Sequence, residues 1–68
     1  MNIDVKKIRR IMRSKGLFLK DLAKMTNVPY KTLLWNFKNP NKMKVQLLCA
    51  ICKALDINIS DVLEGSEK

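Results

Sequence analysis

Residues 19–38 decide the fold of this chain, and they read LKDLAKMTNVPYKTLLWNFK. Apolar residues recur at three- and four-residue spacing on both sides of a short polar break, which predicts two helices, over about 19–25 and about 29–38. Asn27 tolerates the left-handed backbone conformation better than most residues, so it permits a tight turn between them. Pro29 is favourable at the first position of a helix. The stretch therefore predicts two short helices joined by about three residues.

The same spacing predicts three more helices, over about 5–14, 45–55 and 58–63. The last of them begins with the layout of a capping box, formed by Asn58 and Asp61. No segment alternates apolar and polar residues over enough length for a strand, so the fold class is all-α, a compact bundle of five helices. The expected core is Val5, Ile8, Ile11, Met12, Leu22, Ala23, Leu33, Phe37, Val45, Leu48, Ile51, Cys52 and Leu55.

Length and charge restrict what the chain can do. Residues 1–68 are enough for one small domain, with a core over about 4–64 and a frayed tail at 65–68. Fourteen Lys and Arg against six Asp and Glu give a net charge of +8. Residues 1–44 hold twelve basic and two acidic residues, a net charge of +10, and the remainder carries −2. This asymmetry indicates a polyanionic partner.

The chain lacks the residues that enzyme chemistry and metal binding usually require. The chain has no His, and therefore neither the commonest general base nor the commonest metal ligand. Cys49 and Cys52 have C-x-x-C spacing, but two thiolates cannot complete a zinc tetrahedron, so packing in the core is the favoured interpretation. No glycine-rich phosphate loop is present. We expect no enzyme activity, no cofactor, no metal and no small-molecule ligand.

The sequence also bears on location. Two cysteines are too few for a disulfide framework, which favours a reducing compartment. The first residues lack the layout of a signal peptide. The longest apolar run, residues 47–52, is far shorter than the roughly 18 residues of a membrane span. We expect a cytoplasmic protein that does not contact a membrane.

Several short motifs share their order and spacing with a known family. They are Ile8-Arg9, Lys15-Gly16-Leu17, Asp21-Leu22-Ala23, Val28, Thr32-Leu33, Ile51-Cys52-Lys53-Ala54-Leu55 and Asp61-Val62-Leu63. Together they resemble the lambda-repressor/Cro (XRE) family of helix-turn-helix DNA-binding domains, in particular its small stand-alone regulators, over about residues 5–64. The resemblance implies a five-helix bundle whose third helix lies in the major groove while the second crosses the DNA backbone.

This resemblance implies a function and the residues that perform it. The implied function is a sequence-specific DNA-binding transcriptional regulator, a repressor, that binds paired half-sites on double-stranded DNA as a homodimer and reads the major groove with helix 29–38. The residues implied to face base edges are Pro29, Tyr30, Lys31 and Trp35. Those implied to face phosphates are Lys20, Thr32, Lys38, Asn39, Lys42 and Lys44. The last two helices carry little charge, and their candidate homodimer surface consists of Leu47, Ile59 and Val62.

The chain departs from the family pattern where DNA contact is expected. Phe18-Leu19 stands where the family commonly has Thr-Gln, so a polar cap and a DNA-facing amide are missing. Pro29 replaces a Ser whose hydroxyl would meet a phosphate. Met12 and Phe37 occupy the positions of a common Arg–Glu pair, and we expect these two side chains to contact each other directly. The base-facing set lacks Arg, Gln and Asn, so we expect phosphate binding to exceed base readout.

Trp35 leaves several interpretations open. It lies two residues from Leu33 and is exposed if Leu33 is buried, but in a shifted register it would pack in the core with Leu34 exposed instead. An exposed Trp35 contacts either DNA or a protein. The main alternative function is therefore a protein-interaction module on the same fold, with an exposed patch of Tyr30, Leu34 and Trp35. A basic module that binds RNA or a membrane surface without sequence choice is a third reading.

Overall fold

Four α-helices form the domain in the computed structural model, which describes residues 3–63. They are α1 over Val5–Ser14, α2 over Leu19–Thr26, α3 over Tyr30–Lys38 and α4 over Val45–Leu55. Single turns of 3₁₀-helix cover Pro40–Lys42, after α3, and Ile59–Val62, after α4. The positions predicted for these four α-helices are confirmed to within one residue. The frayed tail predicted at 65–68 lies outside the described residues.

Local hydrogen bonds begin and end α1. The Asp4 Oδ1 atom accepts the backbone N–H of Lys7 at 3.0 Å and so caps the N-terminus. Beyond the C-terminus, Gly16 has a φ of +70°, a left-handed conformation that glycine adopts without strain. This conformation lets the Leu17 N–H donate to the Met12 carbonyl at 2.9 Å. The reversal of the chain at this point leads into α2.

No polar side chain occupies the cap position of α2. Phe18 stands there, and its side chain is 73% exposed. The Asp21 carboxylate makes one of the two hydrogen bonds of a capping box, because it accepts the Phe18 backbone N–H at 2.8 Å. At the other end Asn27 is left-handed, with a φ of 60°, and the Val28 N–H donates to the Ala23 carbonyl at 3.0 Å. The tight turn predicted at Asn27 is therefore confirmed.

One side of α3 is buried against the rest of the domain. Leu33 is 0% and Phe37 is 4% exposed, which confirms both as core residues. Asn36 lies on the same side, and its Nδ2 atom donates to the Thr32 carbonyl one turn earlier at 2.8 Å. This bond satisfies an amide that would otherwise be costly to bury. Pro29 precedes the helix as its cap residue, because its ψ of 140° is extended, so its predicted place inside the helix is wrong.

The core is continuous across all four helices. α2 packs against both α3 and α4, and α1 packs against the 3₁₀ turn that follows α4. Among the core residues predicted from helical spacing, Val45 is wrong: it is 53% exposed, because the first residue of α4 has no earlier turn of that helix beside it. Val5 and Ile11 lie at the edge of the core and are only partly buried. The buried apolar residues are Ile3, Ile8, Met12, Leu22, Ala23, Leu33, Phe37, Met43, Leu48, Ile51, Cys52, Leu55 and Val62.

The predicted fifth helix is wrong. After Asn58 the chain makes a single 3₁₀ turn, Ile59–Val62. The Asp61 carboxylate accepts the Asn58 N–H at 3.2 Å, so the predicted start signal operates. Four residues nevertheless give only one turn, and further turns would be needed to repay the cost of starting an α-helix.

A short backbone pairing closes the domain at this end. Ile3 and Leu63 form a single antiparallel bridge, and the Asp4 N–H donates to the Val62 carbonyl at 2.7 Å. The bridge takes the chain into an extended conformation directly after the 3₁₀ turn, which prevents the turn from growing. Within residues 3–63 the fold is therefore a bundle of four α-helices, and backbone pairing joins Ile3 and Asp4 to the end of the last turn.

Candidate nucleic-acid interface

α2 and α3 form a helix-turn-helix. The two helices pack against each other, and only residues 27–29 separate them. Lys20, near the start of α2, and Tyr30, at the start of α3, line one shallow depression together with the exposed Pro29. The N-terminal ends of both helices therefore meet on one surface. In helix-turn-helix domains this end of the second helix contacts base edges in the major groove.

The outward side of α3 presents the residues expected to face bases. Tyr30 is 46% and Trp35 is 51% exposed, and Lys31 is exposed as well. Lys31 and Trp35 lie one turn apart, and together with Thr32 they line a second depression. Leu33 is fully buried on the opposite side, so the interpretation that places Trp35 in the core is wrong.

The two amide side chains at α3 are already bonded within the helix. Asn36 Nδ2 donates to the Thr32 carbonyl at 2.8 Å, and Asn39 Nδ2 donates to the Trp35 carbonyl at 2.9 Å. An amide reads adenine by donating one N–H and accepting at its oxygen at once, and a side chain that its other N–H holds against its own helix is poorly placed for this contact. Asn39, expected to face a phosphate, thus has its amide N–H directed at the end of its own helix. The polar groups left on the outward side near the start of α3 are two hydroxyls and the ammonium of Lys31.

Four exposed lysines lie around this side of α3. Lys20 is near the start of α2, Lys38 ends α3, and Lys42 and Lys44 lie in and after the first 3₁₀ turn. That turn packs against α3, which keeps its lysines close to the end of the helix. Within residues 3–63 none of the four forms an ion pair with a carboxylate. Their charges are therefore free to neutralise phosphates, and each such contact would release counterions from DNA.

Phe18 adds an aromatic ring to this surface that the sequence patterns do not assign to it. Among the large apolar residues of the described range 3–63 it is the most exposed, and it lines a depression with Leu19, Lys20 and Tyr30. The sequence does carry a signal for this exposed ring: Phe18 stands at a helix cap, and a cap position usually carries a polar side chain.

Arg9 and Phe37 make a contact that the spacing of the sequence does not predict. The guanidinium carbon of Arg9 lies 5.2 Å from the centre of the Phe37 ring, within the range of a cation–π interaction. The contact joins α1 to α3 and depends on how the two helices cross. Met12 and Phe37 both belong to the buried core cluster, and a direct contact between them stays a prediction.

The candidate homodimer surface loses one of its three residues. Val62 is 0% exposed, so it belongs to the core, and its assignment to a surface is wrong. The 3₁₀ turn that carries Val62 packs against both α1 and α4, which covers its side chain. Leu47 and Ile59 are partly buried against the core and keep some exposed area.

The two cysteines have different environments. Cys52 is buried in α4, as expected, whereas Cys49 is exposed, so its expected packing in the core is wrong. Burial raises the pKa of the Cys52 thiol above 9.0, and the nearby Cys49 and Asp61 act in the same direction. Residues 3–63 hold no group of three or more potential metal ligands. No helix in this range is long and apolar enough to cross a bilayer.

The comparison with known proteins agrees with this geometry. A family model described as the Cro/C1-type HTH DNA-binding domain matches residues 7–67, which is most of the chain. No curated protein and no solved structure matches the sequence. The matched region includes α2, the turn at 27–29 and α3. The chain therefore belongs to the Cro/C1-type helix-turn-helix DNA-binding domains.

Proposed function

We propose that this protein is a sequence-specific transcriptional repressor that inserts α3 into the major groove of its operator. One observation carries the proposal: α3 exposes Tyr30, Lys31 and Trp35, and the exposed lysines around it form no ion pair within residues 3–63. Double-stranded DNA fits such a surface, because its phosphates are anionic and its major groove presents base edges to side chains. A cytoplasmic location is part of the proposal.

The residues divide into two roles. Lys20, Lys38, Lys42 and Lys44 bind phosphates, together with the exposed Thr32 hydroxyl, and fix the position of the domain on the duplex. Lys31 donates to guanine O6 or N7, while the rings of Tyr30 and Trp35 and the Pro29 side chain contact base edges. Bound over a promoter, the domain blocks access for polymerase, which is sufficient for repression.

A homodimer is part of the proposal. Two copies of a helix-turn-helix domain would place their α3 helices in half-sites one helical turn apart, about 34–36 Å. The exposed parts of Leu47 and Ile59 remain the candidate contact between the copies. Size-exclusion chromatography with light scattering, in the presence of a two-half-site duplex, measures whether two chains bind.

A salt titration tests the proposal as a whole. Binding to the DNA that flanks the gene and to random duplex is measured by fluorescence anisotropy at several salt concentrations. Four phosphate contacts predict a slope of about −3.6 per protomer in log K against log salt, or roughly a 150-fold loss between 50 and 200 mM. The flanking DNA is expected to keep a preference over random competitor. Equal affinity for both would refute sequence-specific binding.

Three variants assign the roles. Lys42→Ala should weaken binding to every sequence alike and reduce the salt slope by about one, whereas Lys31→Ala should also relax the preference. Lys53→Ala removes the same charge from an exposed position on α4 and serves as the control, with little change expected. An unchanged preference in Lys31→Ala would contradict its role in readout.

The protein-interaction module stays the second candidate, because Tyr30 and Trp35 are about half exposed while Leu34 is partly exposed between them. Such an apolar patch fits a protein partner as well as a base edge. The same titration separates the two functions. A folded protein that binds no duplex even at low salt would favour the interaction module.

A further inference from the structure

We infer that α3 recognises the C5-methyl groups of thymine with its exposed aromatic rings, so that the preferred half-site carries thymines at the base pairs under Tyr30 and Trp35. This inference rests on the proposed function, because it requires α3 to lie in the major groove. It adds the chemical feature of DNA that the surface selects.

The outward side of α3 lacks the side chains that read bases most strongly. The strong readers of bases are arginine for guanine and asparagine or glutamine for adenine. The outward side of α3 has no arginine or glutamine; Asn36 is buried, and Asn39 is held against the helix by its bond to the Trp35 carbonyl. Lys31 is the charged donor near the start of the helix, and one ammonium reads at most one guanine.

The same side of α3 offers aromatic area instead. Tyr30 and Trp35 expose 46% and 51% of their area, and both belong to the helix proposed to enter the groove. A Trp side chain has one hydrogen-bond donor and no acceptor, so most of its exposed area can make only apolar contacts. Among the four bases only thymine presents a methyl group in the major groove. A half-exposed ring and a methyl group both leave water when they meet, which favours the contact.

The spacing of the two rings bears on the half-site as well. Tyr30 and Trp35 are five residues apart in one helix, which separates them by about 7.5 Å along its axis and by about 140° around it. The two rings therefore lie on different flanks of α3 and reach different base pairs, since successive bases on a strand rise only about 3.4 Å. Lys31 lies beside Tyr30 in sequence and one turn from Trp35. We therefore expect two thymines at different base pairs of the half-site, with a guanine near them.

The test begins with selection of preferred duplexes from a random library by the full chain. Each thymidine of the selected half-site is then replaced by deoxyuridine, which removes the methyl group and keeps every hydrogen-bonding atom. Binding is measured by anisotropy at one salt concentration. We expect a loss of about fourfold for each methyl group under a ring, from the value of one buried methylene-sized group.

Variants connect each methyl group to one ring. In Trp35→Ala the penalty for deoxyuridine at one position should disappear, while the penalty at the other position remains. Tyr30→Phe keeps the ring and should bind within about twofold of the parent. Cys49→Ala changes an exposed residue of α4 and should preserve both penalties.

The outcomes separate the inference from the function on which it rests. A selected consensus that binds equally well with deoxyuridine, or that has no thymine in the base pairs under α3, overturns the inference and leaves sequence-specific binding intact. Deoxyuridine penalties that persist in Trp35→Ala and Tyr30→Ala overturn the assignment to these rings. A selection that returns no consensus refutes the proposed function, and the inference fails with it.

Discussion

Replacing Phe18 by Ser should stabilise the protein, although it removes an aromatic side chain. Phe18 is 73% exposed, so its ring buries only about a quarter of its area, and its loss costs about 0.5 kcal/mol. A serine hydroxyl at this cap position can accept the backbone N–H of Lys20 or Asp21, the second and third residues of α2, which contributes about 1 kcal/mol. The net gain is therefore about 0.5 kcal/mol, or roughly 2–4 °C in Tm for a domain of this size.

Phe18→Ala is the matched control for this change. It removes the same ring and supplies no acceptor, so its Tm should fall by about 2–4 °C below that of the parent. The difference between the Ser and Ala variants then isolates the cap and should be about 1 kcal/mol, or roughly 4–8 °C. Reversible thermal unfolding at pH 7, followed by far-UV circular dichroism, measures all three proteins.

The result that would refute this reasoning is equal Tm values for Phe18→Ser and Phe18→Ala. Equal values would mean that the N–H groups at the start of α2 gain nothing from a side-chain acceptor. Asp21→Ala checks the other half of the cap, because it removes the carboxylate that accepts the Phe18 N–H at 2.8 Å. We expect a loss of about 0.5–1 kcal/mol from this variant.

Three further predictions concern α3 and α4. Leu33→Ala should lower the free energy of unfolding by about 2–5 kcal/mol, and Leu34→Ala should lower it clearly less, because Leu33 is fully buried and Leu34 is partly exposed. Equal losses for the two variants in urea unfolding would contradict this orientation of α3. Because the folded state raises the pKa of the Cys52 thiol above 9.0, ionisation begins first in the unfolded chain; the free energy of unfolding should therefore decline as the pH rises past about 9, and Cys52→Ala should lose that part of the decline. In the folded protein iodoacetamide should alkylate Cys49 quickly and Cys52 only as fast as the chain opens, which mass spectrometry follows; equal rates would contradict the burial of Cys52.

Most of the fold could be predicted because its signals are local. The turn at Asn27 and the spacing of Leu33 and Phe37 depend on a few neighbouring residues, and the structure agrees with both. The last helix failed for a non-local reason. The capping signal at Asn58 marks a start, but the bridge between Ile3 and Leu63 ends the turn, and those two residues are far apart in sequence.

The sequence indicates a position for the candidate site more clearly than its chemistry. The resemblance to the helix-turn-helix family and the charge asymmetry both indicate the surface around α3, and the family match confirms the type of domain to which α3 belongs. Which side chains stay free could not be predicted, because that depends on hydrogen bonds such as the one from Asn39 to the Trp35 carbonyl. Val62 shows the same limit, since its burial depends on how the last turn packs against α1 and α4.

The fluorescence of Trp35 tests the central claim most directly, because it is the chain's single tryptophan and lies half exposed on the outward side of α3. The protein is titrated with duplex DNA, and the accessibility of Trp35 to acrylamide is measured beside the anisotropy of the labelled duplex. If α3 lies in the groove, the emission should shift to shorter wavelength and the quenching constant should fall in step with DNA binding. Saturable DNA binding with an unchanged quenching constant would show that another surface contacts the DNA.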